Sequence, residues 1–147
     1  MSITLNKKEI EAIIPMRDPM LLIDSVIDLV QGESIRAKYY ISPQMEILKG
    51  HFPDKPVLPG VYTAECLAQA SDILILSSSK YQGTIPYLIG LDKIRFMAPI
   101  SPGDTIIIES KVIHEREDKA ILTCFAEVKK ENEEKVVAEG EVTLAMR

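Results

Sequence analysis

The chain has 147 residues, of which 46% are hydrophobic and 27% are charged, a composition typical of an ordinary globular protein. This length predicts one domain, residues 1–147, with a core large enough to fold without metals or disulfides. Lys and Arg total 17 against 22 Asp and Glu, a formal net charge of −5 without any basic run, which argues against nucleic acid as the main partner.

The first predicted elements are a short helix and a pair of strands. Asn6 and Glu9 have the spacing of a capping box, which predicts a helix over residues 6–14. Residues 20–30 and 34–41 are rich in β-favouring residues and flank a turn signal. These two segments are expected to be strands that form a hairpin.

A stiff loop, residues 49–60, comes next. Its sequence KGHFPDKPVLPG contains three prolines, each of which fixes its own φ and restricts the residue before it. The loop also carries His51, one of only two histidines in the chain. A lone loop histidine is most simply a solvent-exposed residue, but a rigid loop is also what a catalytic base requires. Gly60 ends the loop, where the first amides of the following helix can bind an anionic oxygen.

Residues 61–81 predict the one long helix of the chain. The stretch lacks Gly and Pro and is apolar on nearly every side, so we expect it to be buried. Glu65, Gln69 and Asp72 are the exception, because their spacing places them on one face. They form either a solvated face or a site for acid–base chemistry, in which Gln69 holds the Glu65 carboxyl from one turn away.

The carboxyl-terminal half predicts an antiparallel meander. Its segments are β-branched or alternate between apolar and polar residues, as half-buried strands do, and turn-forming clusters separate them. The predicted strands are residues 104–115, 122–129 and 136–144. One buried helix with about six antiparallel strands predicts an α+β fold in which the sheet curls around the helix.

Other features of the sequence exclude several classes of protein. Cys66 and Cys124 lie in apolar segments without metal-site spacing, which predicts buried, reduced thiols and favours a cytoplasmic protein. Charged residues interrupt every apolar stretch before it can span a membrane, and the amino terminus lacks the apolar core of a secretion signal. No phosphate loop or metal motif is found, so neither a metal nor a cofactor is expected.

Residues 50–60, GHFPDKPVLPG, are followed at once by VYTAECLAQA, with His51 and Glu65 in place. These motifs resemble the FabZ-type 3-hydroxyacyl-[acyl carrier protein] dehydratases of bacterial fatty-acid synthesis. The segments IPMRDPMLLID and YLIGLDKIRFMAPISPGD extend the resemblance over nearly the whole chain. It implies the hot-dog fold, a long antiparallel sheet wrapped around one helix, and a homodimer that often assembles further into a hexamer.

The resemblance also implies an active site shared between two chains. His51 of one chain would remove the proton next to the thioester, and Glu65 of its partner would protonate or orient the departing 3-hydroxyl group. Water and a trans-2-enoyl thioester would be the products. The substrate-binding residues implied are Phe52, Gly60, Val61 and Gln69, with the Gly60 amide binding the thioester carbonyl and Gln69 supporting the acid.

The implied protein partner is acyl carrier protein, which is strongly acidic, whereas this chain is itself net negative. Local basic residues are therefore expected to steer the carrier toward the site. Lys93 and Arg95 are the principal candidates, with Lys49, Lys55 and Arg17 as weaker ones.

The chain departs from the family's usual pattern at four positions. They are Met16, Ser25, Asp54 and Asp72, where His, a basic residue, Gly and a small residue are common. A housekeeping enzyme and a paralogue for a specialised acyl chain therefore both stay open. Two further functions also stay open, an acyl-thioester hydrolase on the same fold and a non-catalytic acyl-binding module, although His51 weighs against the hydrolase.

Overall fold

The computed structural model describes residues 2–147, which form strands and helices in the following order. The strands are β1 (Ile3–Leu5), β2 (Ser25–Val30), β3 (Ser34–Tyr40), β4 (Pro86–Phe96), β5 (Thr105–Arg116), β6 (Ile121–Lys130) and β7 (Val136–Met146). The helices are α1 (Lys7–Glu11), α2 (Glu46–Gly50) and α3 (Gly60–Leu76), and a 3₁₀ turn covers Ser79–Tyr81.

The strands within residues 2–147 form one antiparallel sheet with the order β1-β2-β3-β5-β6-β7-β4. The sheet wraps around α3, which packs against β3, β5, β6 and β7. Every residue from Cys66 to Leu76 is buried. This is the hot-dog fold that the resemblance implies, with seven strands rather than about six. The sequence predicts neither β1 nor α2, which have only 3 and 5 residues, and it indicates β4 only through the segment YLIGLDKIRFMAPISPGD of the resemblance.

The predicted capping box at the start of α1 is confirmed. The Asn6 side chain accepts a hydrogen bond from the Glu9 amide, and the Glu9 side chain accepts one from the Asn6 amide, each at 2.9 Å. The helix ends at Glu11, earlier than predicted. The Arg17 guanidinium donates to the carbonyls of Glu11 and Ile14 at 2.7 and 2.8 Å, so it satisfies the free acceptors at the end of α1.

The predicted hairpin is confirmed over β2 and β3, which turn at Gly32 with a φ of 76°. The strand predicted over residues 20–30 is wrong in its first part, because β2 begins only at Ser25. Leu22 and its neighbours are buried, yet their backbone binds the side chain of Gln69 instead of a neighbouring strand. An apolar run can therefore be core without being strand.

The predicted long helix is confirmed as α3, but it ends at Leu76 rather than at residue 81. The Ser77 hydroxyl donates to the Leu74 carbonyl at 2.7 Å and caps one of the last free acceptors of the helix. The chain then continues into the 3₁₀ turn.

The strand β4 lies at one edge of the sheet, paired only with β7 on its inner side. Several of its large apolar side chains are exposed, namely Tyr87, Leu88, Ile89, Leu91 and Phe96. At Gly140 of β7 an added Cβ would overlap Cδ1 of Ile94 and lie 3.2 Å from its Cα, so glycine allows β7 to approach β4 closely here. An unpaired edge with exposed apolar residues is a surface suited to pairing with another chain.

Candidate active site

His51 lies directly after α2, in the proline-rich loop, and its ring is held in place by the backbone. Its Nδ1 is 2.9 Å from the Val57 carbonyl oxygen. A carbonyl oxygen only accepts hydrogen bonds, so Nδ1 carries the proton and Nε2 of the neutral ring keeps a free lone pair. The Val57 amide donates back to the His51 carbonyl at 2.8 Å. The loop thus presents an oriented imidazole with Nε2 as its basic atom.

The loop is fixed to the rest of the fold next to this histidine. The Leu58 amide donates to the Ile100 carbonyl at 2.8 Å, which joins the loop to the segment after β4. The Phe52 ring stacks on the His51 ring with centroids 4.2 Å apart, while 54% of Phe52 stays exposed. The predicted substrate residue Phe52 is therefore in direct contact with the His51 ring.

A groove of about 380 Å³ opens beside His51. It runs past the first turn of α3, where Gly60 and Thr63 line it, and past Phe96 and Met97 at the end of β4. An added Cβ at Gly60 would lie only 3.1 Å from Cζ of Phe96. Among residues 2–147, the Gly60 amide donates to no loop or cap carbonyl, as expected for the first turn of a helix. His51 and Gly60, whose backbone amide is free, thus line the same groove.

The Glu65 carboxylate is held by Gln69, as the sequence predicts. Nε2 of Gln69 donates to Oε2 of Glu65 at 2.9 Å and to the Met20 carbonyl at 2.8 Å. Oε1 of Gln69 accepts from the Leu22 amide at 2.8 Å. Gln69 is fully buried and Glu65 is half-buried. The side-chain amide of Gln69, fixed by its hydrogen bonds, therefore positions a Glu65 carboxylate that is still partly exposed.

One chain does not bring His51 and Glu65 to the same groove. Thr63 lines the groove beside His51, and Glu65 follows two residues later on α3. Two residues correspond to about 200° of rotation around a helix, so Glu65 points to nearly the opposite side. Glu65 is absent from the residues that line the groove.

Asp72 completes the polar face that the sequence predicts on α3, and this face is not a solvated one. Asp72 is 3% exposed and Gln69 is fully buried. Burial, and next to it the charge of Glu65, raises the pKa of the Asp72 carboxyl well above the range of an exposed aspartate. The alternative of three solvated side chains is therefore wrong for two of the three.

The remaining predicted residues lie on the surface. Val61 follows Gly60 on the first turn of α3 and is 75% exposed. Lys93 and Arg95 lie on the edge strand β4 and are both exposed. Nζ of Lys93 is 3.6 Å from Oε2 of Glu141, whereas Arg95 has no acidic partner within the described chain.

The three weaker candidates for binding the carrier protein differ in whether their charge already has a partner within the chain. The guanidinium of Arg17 is committed to backbone carbonyls at the end of α1, so it serves the fold. Lys49 pairs with Glu46 within α2 at 3.1 Å. Lys55 lies exposed in the loop after His51.

Sequence reasoning missed Thr63 and Phe96 among the groove residues. Thr63 lies three residues after Gly60, so helical spacing alone could have placed it on the groove side of α3. Phe96 is adjacent to Arg95, but its approach to Gly60 depends on tertiary contacts. It also missed that the backbone of Met20 and Leu22 anchors Gln69, because local patterns carry no information about such distant contacts.

Both cysteines are buried and free, as predicted. Burial raises the pKa of the Cys66 thiol, and burial also raises the pKa of Cys124 to about 11. Over residues 2–147 no helix has the length and apolar character to cross a bilayer. Nor does that range contain three or more His, Cys, Asp or Glu side chains grouped so that they could hold a metal ion.

His51, the Gly60 amide and the Glu65 carboxyl group are suited to proton transfer at a carbon next to a carbonyl group. The free Nε2 of His51 can remove a proton, the Gly60 amide can stabilise a developing negative charge on oxygen, and a half-buried carboxyl group can supply or accept a proton. The Glu65 carboxyl group, however, lies on the other side of α3 from His51. Within one chain the two side chains therefore do not face the same groove.

Sequence comparisons with known proteins agree on one family, and the solved structures share the fold. Residues 14–141 match the family model described as a FabA-like domain. The chain is 40% identical over 135 residues to the 3-hydroxyacyl-[acyl-carrier-protein] dehydratase FabZ of Enterococcus faecalis, which covers 92% of this chain and 93% of that protein. It is 42% identical over 135 residues to the FabZ of Clostridium tetani, covering 92% of each. The dehydratase heterocomplex ApeI:P from Xenorhabdus doucetiae shares the fold, with a TM-score of 0.77 at 17% identity over 94% of this chain and 90% of that one.

Proposed function

The chain belongs to the FabA-like domain family, among the FabZ-type 3-hydroxyacyl-[acyl-carrier-protein] dehydratases, and from this premise we propose which of its residues carry out the reaction. The reaction is the dehydration of a (3R)-3-hydroxyacyl thioester on acyl carrier protein to the trans-2-enoyl thioester in fatty-acid synthesis. The observation that carries the assignment of roles is the hydrogen bond from Nδ1 of His51 to the Val57 carbonyl, since it leaves Nε2 of this groove residue free to accept a proton.

His51 is the base in this proposal. Its Nε2 takes the proton from C2 of the substrate, and the electron pair of the C2–H bond becomes the new C2–C3 double bond. The C3–O bond breaks, and the hydroxyl group leaves as water with a proton from the acid. A general acid and a general base each typically contribute about 10²–10⁴ in rate, so neither alone suffices for a poor leaving group.

Glu65 of the partner chain is the acid. The support is geometric, because within one chain Glu65 projects from the opposite side of α3 to the His51 groove. Gln69 fixes the direction of the carboxyl group through its 2.9 Å hydrogen bond, which makes Gln69 a positioning residue.

The Gly60 amide stabilises the thioester oxygen as it gains negative charge. It lies in the same groove as His51, at the positive end of the α3 dipole. A preorganised donor of this kind typically contributes about 10²–10³ in rate. Phe52, largely exposed beside His51, is proposed to contact the bound thioester. Val61 lies on the same face of α3 as Glu65, so its proposed contact is with the thioester bound at the His51 of the partner chain.

The proposed assembly is a homodimer that pairs through the free edge of β4, and three such dimers form the hexamer. The exposed apolar residues of this strand support pairing, because they would otherwise face water. Pairing at this edge also suits the shared site, since Phe96 of β4 lines the His51 groove.

The acidic carrier protein is proposed to approach along the same strand. Arg95 precedes the groove residue Phe96 and has no acidic partner within residues 2–147, so its charge is available for steering. Lys93 adds a second positive charge, partly offset by Glu141. We place the protein in the cytoplasm, because two buried free thiols suit a reducing compartment.

The test of this function is a reaction with defined products. Purified protein is incubated with a 3-hydroxybutyryl thioester while enoyl absorbance and free thiol are both recorded. Formation of the enoyl thioester without thiol release is the expected result. Thiol release would indicate a hydrolase, and the absence of both signals would indicate a binding module, so either result contradicts the proposal.

A further inference from the structure

Asp72 is a buried carboxyl group with an oxygen that has no hydrogen-bond donor. The residue is 3% exposed, and its Oδ1 is the one buried side-chain polar atom within residues 2–147 that lacks a partner. Burying such an atom without a donor is costly, and the proposed chemistry at His51 and Glu65 does not use it. A polar group retained in this way points to a ligand that supplies the missing donor.

Asp72 lies on the same face of α3 as Glu65. At about 100° per residue, Val61, Glu65 and Asp72 fall within roughly 40° of one another around the helix. Burial increases along this face from Val61, which is 75% exposed, through half-buried Glu65 to Asp72 at 3%. The side chains on this face are therefore more deeply buried from the start of α3 toward Asp72.

No side chain near Asp72 donates a hydrogen bond to its unpaired Oδ1. Cys124 of β6 lies near enough for the charge of Asp72 to contribute to its raised pKa, but the two side chains form no hydrogen bond in the described structure. The neighbouring Ser71 turns toward the sheet, where its hydroxyl bonds the Leu67 carbonyl and the Ser110 hydroxyl, each at 2.8 Å. The nearby polar side chains are thus either paired or out of reach.

We propose that Asp72 determines substrate specificity by accepting a hydrogen bond from a hydroxyl group on the distal part of the acyl chain. This inference rests on the proposed function, in which the reacting carbon lies at Glu65 and the acyl tail continues along the same face of α3. The substrate class is therefore an acyl thioester with an oxygenated tail rather than a purely hydrocarbon one.

The helix geometry sets the position of this hydroxyl group. Seven residues separate Glu65 from Asp72, which corresponds to about 10.5 Å along the helix axis. An extended hydrocarbon segment of roughly eight carbon–carbon bonds covers this distance. A chain of about eleven carbons, counted from the thioester, thus places its terminal hydroxyl beside Asp72.

The test compares two substrates that differ only in this group. Hydration is measured for a trans-2-enoyl thioester of about eleven carbons and for the same chain with a terminal hydroxyl. Each rate is divided by the same protein's rate with crotonyl thioester, whose chain ends well short of Asp72. We expect the wild-type kcat/KM to favour the hydroxylated chain by about tenfold or more.

Three variants identify the group responsible. Asp72→Ala should bring the preference to about one or reverse it, because no acceptor remains. Asp72→Asn should retain a preference, since its amide oxygen still accepts. Ser71→Ala removes a buried hydroxyl from the adjacent helix position and should keep the wild-type ratio.

Two results would overturn the inference. A wild-type ratio of one or less would do so without any variant, and an unchanged ratio in Asp72→Ala would do so for the residue. If crotonyl thioester is hydrated normally in either case, the proposed dehydratase function stands and only the role of Asp72 fails. Absence of crotonyl hydration in the wild type would instead overturn the proposed function itself.

Discussion

Gln69 joins the proposed acid Glu65 to a distant backbone segment. Its amide nitrogen donates to the Glu65 carboxylate at 2.9 Å and to the Met20 carbonyl at 2.8 Å, while its oxygen accepts from the Leu22 amide. A single fully buried side chain thus couples the position of the carboxyl group to the packing of residues 20–22.

Replacing Gln69 should therefore change both activity and stability. In Gln69→Ala we expect kcat to fall by on the order of tenfold to a hundredfold, because the carboxyl group loses its orientation. The buried Leu22 amide also loses its acceptor, at a cost of about 1–3 kcal/mol in the free energy of unfolding. Crotonyl hydration kinetics and denaturant unfolding measure the two effects.

Gln31→Ala is the matched control, since Gln31 also donates to a backbone carbonyl, that of Ser77 at 3.0 Å, but at the surface. We expect it to change neither quantity appreciably. Wild-type kcat in Gln69→Ala would show that Glu65 does not depend on this hydrogen bond.

Substitution of Gly60 should narrow the groove. An alanine Cβ there would lie 3.1 Å from Cζ of Phe96, so the ring has to shift within the groove beside His51. We expect Gly60→Ala to lower kcat/KM for crotonyl thioester by about tenfold with little change in melting temperature. Gly50→Ala, where nothing lies within 4 Å of the added Cβ, should keep wild-type kinetics. Equal kinetics in the two variants would argue against a role for Gly60.

The buried Asp72 carboxyl should make stability depend on pH. Its raised pKa means that the folded state keeps this proton to higher pH than the unfolded chain does. Below about pH 4, the usual Asp pKa, the Asp72 carboxyl group is protonated in both states and its titration does not change the free energy of unfolding. As the pH rises above this value, the carboxyl group lowers the free energy of unfolding more and more. Asp72→Asn should thus raise the melting temperature at pH 7 to 8 and lose this advantage near pH 4.

The control for this measurement is Asp118→Asn, because the side chain of Asp118 is 71% exposed. Melting curves of both variants are compared with the wild type at one protein concentration across the same pH range. A gain for Asp72→Asn that does not vary with pH would contradict the account.

The edge strand β4 should be required for assembly and for activity together. Leu91 is 47% exposed on this strand, and a charge there opposes burial against a second copy. We expect Leu91→Asp to form monomers in sedimentation experiments and to lose at least about tenfold in activity, since each site needs two chains. Ile113→Asp on β5, where Ile113 is 46% exposed, should remain dimeric and active. An active monomer would show that one chain suffices.

Sequence patterns predict most of this fold because most of its helices and strands are determined by residues close to one another in the chain. The capping box at Asn6, the apolar helix α3 and the alternation in β6 and β7 all depend on neighbours in the sequence. β1 and α2 are too short to show a period, and residues 20–24 resemble a strand although their backbone serves Gln69. Such exceptions depend on distant contacts, which periodicity does not describe.

The candidate site shows the same limit. Motif and spacing identify His51, Gly60, Glu65 and Gln69, and they predict the contact between the last two. They do not show that Phe96 closes over Gly60, because β4 lies far along the chain. Helical spacing predicts that Thr63 and Glu65 point in nearly opposite directions. Only the structure shows that Thr63 lies beside His51, and therefore that Glu65 points away from it.

His51 of one chain and Glu65 of its partner are proposed to act on one substrate. Alone, His51→Ala and Glu65→Gln should each lower crotonyl hydration by about 10²–10⁴ while leaving fold and dimer intact. Co-expressed in equal amounts, the two variants pair at random, and about a quarter of all sites then combine an intact His51 with an intact Glu65. The measurement is the specific activity of this mixture, for which we expect about a quarter of the wild-type value. Activity no higher than that of the separate variants would contradict a site shared between chains.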